Sequence, residues 1–277
     1  MRFFWHSEVL NQVATHELLM LITNLIKKQF FLAVIVTLLL APGAYALHPL
    51  NTDDTGTEGQ GRWKAEVLGK WAHNEINGTV KTASQIKTAI TAGITDNIDI
   101  EVGQPYKFKR EDDNGAVSKV DGIADTEIEL KWRFYDRNRL SFALRPALTL
   151  PAGDDGKGLG TGKLTYKLFL LATKELEQWA FHVNAGYGKN ANTADDRTDI
   201  WNFSAAAEYE IAQGFKVAGE AGIYSNNEKA SGIQPVYTTA AVLYYPVKHI
   251  RLDLGLRLGL NKAEPDYTVI PGIAFKF

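Results

Sequence analysis

The sequence has 277 residues, no cysteine, 30 Lys and Arg against 32 Asp and Glu, and a formal charge of −2. These numbers exclude a disulfide framework and a cysteine-ligated metal site, and Lys and Arg spread along the chain give none of the basic footprint of a nucleic-acid binder. The mean hydropathy of −0.18 is that of a soluble protein, and only the pattern of the residues shows otherwise.

In residues 1–46, Lys27 and Lys28 precede an apolar run from Phe30 to Leu40, and Ala44-Tyr45-Ala46 follows as a small-x-small cleavage pattern. The run is about a dozen residues long, against about 20 for a spanning helix, so a cleaved signal peptide over about 20–46 is expected rather than an anchor. Residues 1–19 are unlike a signal peptide and read as a start site placed too early, with Met20 one candidate for the true start.

From residue 62 onward the dominant signal is alternation with a period of two. In 125–134 the even positions are Thr126, Ile128, Leu130, Trp132 and Phe134, and the odd positions are Asp125, Glu127, Glu129, Lys131 and Arg133. Residues 250–260 carry Ile or Leu at every even position, with Arg251, Asp253 and Arg257 between them. Twelve strands are expected, at about 62–76, 84–95, 98–108, 124–135, 139–150, 163–173, 178–188, 200–211, 215–225, 235–245, 250–261 and 267–277. Short turns such as 96–97, 136–138 and 212–214 alternate with longer polar connections such as 109–123 and 151–162.

A soluble sandwich or lipocalin-like barrel also alternates, and the census of faces separates the two. The apolar parity of eleven strands has no Asp, Glu, Lys or Arg, while the opposite parity carries 24; the strand at 235–245 has no charge and no clear phase. A closed sheet of about twelve strands is too wide for apolar side chains to fill, so the apolar face must point outward into lipid. Aromatic residues of that face gather near the strand ends. Trp132, Phe134, Trp179, Phe181, Phe215, Phe275 and Phe277 lie toward the short turns, and Tyr187, Trp201, Phe203 and Tyr267 toward the long loops, as two interfacial girdles. The expected fold is an all-β, transmembrane, antiparallel up-and-down barrel over 62–277, with short periplasmic turns and longer extracellular loops. Its location is the outer membrane, reached by the general secretory route.

Motifs that carry chemistry are few. "GDDGKGLGTGK" (153–163) fails as a phosphate loop, because Lys157 stands where glycine is required and no Ser or Thr follows Lys163, and it reads as a flexible surface loop. The acidic stretches 111–114 and 153–155 read as solvated loop charge. Of the histidines, His73 has lipid parity and His182 lumen parity, and neither has an evident serine partner, so no catalytic, cofactor or metal site is expected.

Residues 48–66 ("HPLNTDDTGTEGQGRWKAE"), 150–162 ("LPAGDDGKGLGTG"), 182–187 ("HVNAGY") and the terminal Phe277 resemble the outer-membrane proteins grouped as the "MetA-pathway of phenol degradation" family. The resemblance spans the chain after the leader. It implies a barrel that passes small molecules, often linked to aromatic catabolism, and it implies no particular functional residues.

Twelve strands about 4.8 Å apart and tilted about 40° close into a cylinder roughly 24 Å across, leaving roughly 10 Å between side chains. Lumen parity places the acids Asp99, Glu101, Glu127, Glu129 and Glu220 against Arg145, Lys167 and Arg257 as a candidate constriction. Turn centres predict that Glu129 faces Arg145 and Glu210 faces Lys216. Apolar and aromatic groups of lumen parity are few: Tyr135, Phe169, Leu171, Tyr224 and Ile270. The lumen is therefore expected to be a narrow polar channel for small solutes, including aromatic or organic compounds; the alternatives are a lipid-modifying enzyme and a structural or surface-binding barrel. Residues 47–61 either trail into the periplasm or fold into the lumen as a plug. The last strand, with Tyr267, Phe275 and Phe277 toward lipid, resembles the sorting signal of the barrel-assembly machinery. The remaining expected partners are membrane lipid, lipopolysaccharide and a small-molecule solute.

Overall fold

The computed structural model describes residues 48–277; the leader and its expected signal peptide lie outside the described residues. The strands run β1 (Trp63–Ile76), β2 (Thr79–Thr95), β3 (Ile98–Asp113), β4 (Ala116–Ile123), β5 (Thr126–Arg137), β6 (Leu140–Leu150), β7 (Thr165–Leu176), β8 (Trp179–Lys189), β9 (Asp199–Ala212), β10 (Phe215–Tyr224), β11 (Val236–Val247), β12 (Ile250–Gly259) and β13 (Tyr267–Lys276). Each pairs antiparallel with its neighbours, and β13 closes on β1. Twelve strands, β1–β3 and β5–β13, thus form a closed up-and-down barrel with no free edge.

Two connections differ from expectation for one reason. Residues 109–123 do not form a loop: Asn114-Gly115, with φ of 50° and 92°, folds β4 back onto the outer half of β3. Asn77-Gly78, with φ of 52° and 83°, joins β1 to β2, so that β2 starts at Thr79 rather than near 84. Asn-Gly supplies positive φ at both central positions of a two-residue hairpin turn, and the polar strand residues around it masked that signal. The 151–164 connection is not a flexible loop either. Asp125 accepts hydrogen bonds from the amides of Gly153 (2.9 Å) and Thr161 (2.7 Å), and Leu159 is buried.

The barrel is polar inside and apolar outside. On β12, Arg251 is 2% exposed while Leu254 is 50% exposed. Such an arrangement is stable only with lipid as the outer solvent, where an arginine on that face near midplane would cost about 2–4 kcal/mol. Ring contacts mark the two belts. Near the short turns Trp179 meets Tyr209 at 4.7 Å and Trp132 meets Phe134 at 5.7 Å, and at the opposite rim Tyr267 meets Trp71 at 5.5 Å and His73 at 5.1 Å. The uncertain phase of β11 resolves with Tyr237, Thr239, Ala241 and Leu243 facing inward. A bulge between Arg133 and Tyr135 reverses one expectation: Tyr135 turns outward and packs on Phe142 at 5.8 Å instead of facing the lumen.

Candidate functional site in the lumen

The segment before β1 lies inside the barrel. His48 starts at the level of Asp253, four residues from the short turn after β11, with its Nδ1 2.6 Å from Asp253 Oδ1. The chain rises to Asn51, which donates to the Tyr237 hydroxyl (3.3 Å), and descends to Gly61, whose amide bonds Gly93 O at 2.9 Å beside the 96–97 turn. The segment therefore makes a U whose two ends are near the periplasmic mouth. Wall residues without side chains give it room. A Cβ on Gly93 would sit 1.9 Å from Gly59 O, and one on Gly255 would sit 2.9 Å from the Pro49 ring.

Its two flanks meet different walls. Toward β7–β11 the contacts are close and mostly uncharged. Leu50 is buried among Ala206, Ala218, Ala241 and Leu243. Thr52 donates from its Oγ1 to Glu220 Oε1 (2.8 Å) and lies 2.8 Å from Ser204 Oγ, which can donate to it, and the Thr55 amide donates to Thr173 Oγ1 at 3.1 Å. The Asn184 side-chain amide, its nitrogen turned to the Asp53 carbonyl, donates at 2.9 Å and accepts from the Asp53 amide at 2.6 Å.

Toward β1–β6 the contacts are long charged side chains. Asp53 Oδ2 lies 2.8 Å from both Lys131 Nζ and Arg145 Nη1. Burial pushes the Asp53 carboxyl up, and these two cations more than offset it, holding it below the usual carboxylate range. Asp54, buried beside Asp53 and with Lys131 Nζ only at 3.9 Å, is raised to about 6, first by burial. Glu58 bridges Lys276 (3.0 Å) and Lys64 (3.6 Å), and its amide donates to Asp99 Oδ2 at 2.9 Å. A buried chain, Glu66–Arg251–Asp253–His48, with contacts of 2.9, 2.8 and 2.6 Å, ties His48 to β1 and β12. Burial lowers the affinity of His48 for a second proton, with Asp253 acting against it. A cavity of about 250 Å³ remains between the segment and this wall.

The eight expected constriction residues do not form one ring. Asp99, Glu101, Glu127, Glu129 and Arg145 share the charged wall and line the cavity. Glu101 and Glu127 are both bridged by Lys87, at 3.3 and 2.6 Å. Register pairs Glu129 with Ala147, not Arg145, because the turn is made by Asn138-Arg139 (φ of 53° and 59°) rather than centred on Arg137, yet Arg145 Nε still reaches Glu129 diagonally at 3.4 Å. Glu220 and Arg257 stand on the other side, 3.8 Å apart, with Arg257 over the Tyr237 ring at 4.2 Å. Lys167 lies apart from both groups, lining a second cavity of about 270 Å³ with Phe169 and Tyr224. Register pairs Glu210 with Lys216, as expected, but the Lys216 ammonium bonds Glu208 at 3.0 Å. In the last strand Phe275 pairs with Ala65 and Ile250, and Phe277 exchanges backbone hydrogen bonds with Trp63 at 2.7 and 2.9 Å. His73 is held in the Tyr267 stack, and His182 Nδ1 lies 3.0 Å from Thr173 Oγ1 beneath the segment. Among the described residues there is no group of three or more His, Cys, Asp or Glu that could hold a metal ion.

Comparison with known families places the geometry. The family described as "Putative MetA-pathway of phenol degradation" matches residues 49–277. The chain belongs to this family. The match includes the lumen segment from Pro49 onward, so segment and barrel form one family unit. An outer membrane channel from Pseudomonas putida F1 superposes with a TM-score of 0.64 at 17% identity, over 86% of this chain and 100% of that one. The KdgM porin (TM-score 0.53, 7% identity, 77% of this chain and 99% of that one) and the NanC porin (0.52, 10%, 77% and 100%) are similar in fold as well. A comparison with curated proteins found no match.

The sequence reading missed most of the segment's anchors: Thr52, Thr55, Asn184, Ser204 and Thr173. A signal for them was present. On β9–β11 the lumen parity includes Ser204, Ala206, Ala218, Thr239 and Ala241 among longer residues such as Glu208, Glu220 and Tyr237, a patch of short side chains where a water-filled bore calls for none in particular. A wall of short side chains leaves space for another piece of chain.

Proposed function

We propose that the protein is an outer-membrane channel for small polar solutes and ions, held nearly closed by residues 48–61. The observation that carries this reading is the asymmetric seat of the segment: it seals against β7–β11 and leaves a charged cavity of about 250 Å³ along β1–β6. Long charged side chains keep water around them, so that side stays permeable where the other is packed shut. The charged lining supports polar solutes, including aromatic or organic compounds that carry a charge or hydroxyl, over greasy ones. Planar-bilayer conductance and liposome swelling test the reading; a folded, inserted barrel that passes neither ions nor small solutes overturns it.

The alternatives fare less well. A lipid-modifying enzyme needs a nucleophile beside a histidine at the lipid boundary, whereas His73 stacks on Tyr267 and His182 is enclosed beneath the segment. Esterase activity is expected to be absent from the protein and unchanged by His73→Ala or His182→Ala. A surface-binding barrel would work through its outer loops, and 109–123 and 151–164 are instead folded onto each other through Lys107 and Lys109, which donate to Leu159 O and Gly158 O. We also assign residues 20–46 to a cleaved signal for the general secretory route. The last strand, through Tyr267, Phe275 and Phe277, is assigned to recognition by the barrel-assembly machinery. Lipid and lipopolysaccharide surround the apolar face.

A further inference from the structure

The cavity beside the lumen segment has unpaired charge at its two ends. Seven carboxylates line it against five Lys and Arg side chains. Most of these are matched, as Lys87 is with Glu101 and Glu127, and Arg145 with Glu129 and Asp53. Asp99, near the periplasmic mouth, is not. It is 5% exposed, and no Lys, Arg or His nitrogen lies within 4.0 Å of it among the described residues. Its Oδ2 accepts from the Glu58 amide at 2.9 Å, and its Oδ1 has no partner. Buried carboxylate oxygens are satisfied in folded proteins, so the missing contact falls to what fills the cavity, water or a cation. Toward the other end Lys70, exposed on the lumen wall, has no ion pair among the described residues.

We infer that this cavity is a cation-preferring passage, in which Asp99 sets the preference at the periplasmic end and Lys70 opposes it at the outer end. The inference rests on the channel reading. Matched pairs along the wall act on a passing ion as dipoles, whose fields fall off quickly. Glu58 and Glu66 are also matched, by Lys276 and Arg251 from beside the cavity, so the sign at each end is set by the unmatched charge, which acts at full strength. A unit charge about 5 Å from the path, at the dielectric constant of water, changes the occupancy of a monovalent ion about fourfold.

The test is the reversal potential of the full chain in planar bilayers under a potassium chloride gradient, for the unaltered protein, Asp99→Asn and Lys70→Gln. Asparagine keeps an acceptor for the Glu58 amide and the same shape, so it removes the charge and little else. The unaltered protein is expected to pass potassium in preference to chloride. Asp99→Asn is expected to lower the potassium-to-chloride permeability ratio about three- to fourfold, and Lys70→Gln to raise it. Opposite shifts from two neutralisations cannot arise from a general loosening of the barrel. A chloride preference in the unaltered protein overturns the inference without any variant, as does an unchanged ratio in Asp99→Asn at unchanged conductance. A barrel that inserts and conducts nothing overturns the channel reading and this inference with it.

Discussion

The two walls that hold the lumen segment use the same alternation to opposite ends. On β7–β11 the inward positions around the segment are mostly short, and Leu50 sits against Ala206, Ala218, Ala241 and Leu243, with Thr52 on Ser204 and the Glu220 carboxylate and Thr55 on Thr173. On β1–β6 they are Lys, Arg, Asp and Glu, and Asp53 spans to Lys131 and Arg145 beside a cavity. Short uncharged groups can be stripped of water at little cost and so make a seal. Long charged groups lose too much hydration to be packed dry, and they hold the segment through contacts that water and salt can reach. One flank packs against the barrel wall; the other leaves a charged cavity beside it.

Removing the segment abolishes the contrast. Deletion of residues 49–58 is expected to raise single-channel conductance several-fold, since it replaces the cavity with the whole bore. Next in size is damage to the seal. Leu50→Ala removes a buried side chain from the small apolar cluster, a change that costs about 2–3 kcal/mol and raises the open-to-closed ratio on the order of thirtyfold or more, read as open probability. That effect is expected to be insensitive to salt. On the charged wall, Asp53→Asn breaks two partly solvated ion pairs, is expected to cost about 1 kcal/mol, and raises the ratio about fivefold. Its effect is expected to shrink at about 1 M salt, where screening lengths fall to about 3 Å. If Asp53→Asn matches Leu50→Ala and both ignore salt, the distinction between the walls is wrong.

The smallest effect expected is that of pH. Asp54 has a raised pKa when docked, so docking takes up a proton between the ordinary carboxylate range and about 6, and acid favours the closed state. His48 has a lowered pKa when docked, so docking releases a proton below about 6.5, and acid favours the open state. Lys131 and Asp53 face the first group, and Asp253 and Arg251 the second. The two linkages oppose each other, and conductance should change little on acidification from about pH 7 to about 5. His48→Asn removes the opposing one, so that the same acidification closes the channel.

The fold was legible because a barrel in lipid must hide charge on every strand. The residues of β12 alone, leucine at 252, 254, 256 and 258 against Arg251, Asp253 and Arg257, state the inside and the outside. Register was less legible. The bulge at Arg133 and Tyr135 turned one tyrosine outward, and a bulge has no period by which to find it; the turn at Asn138-Arg139, past Arg137, put Glu129 opposite Ala147 rather than Arg145. The β3–β4 hairpin was legible in principle through Asn114-Gly115, but its polar strands stand above the lipid, where alternation carries no hydrophobic signal.

By itself the sequence determined the closed membrane barrel, its strand number and the charge of its lumen, since these follow from side-chain alternation within each strand and the one-sided solvent beyond it. Whether residues 48–61 hang free or close the bore was decided only in three dimensions. Their anchors, Glu220 for Thr52 and Asp253 for His48, lie 168 and 205 residues away along the chain, on strands that become neighbours of the segment only when the sheet has closed. No local pattern records such a seat. It is a sum of contacts from opposite sides of one cylinder, tight where the wall is mostly short and uncharged, and open where it is long and charged.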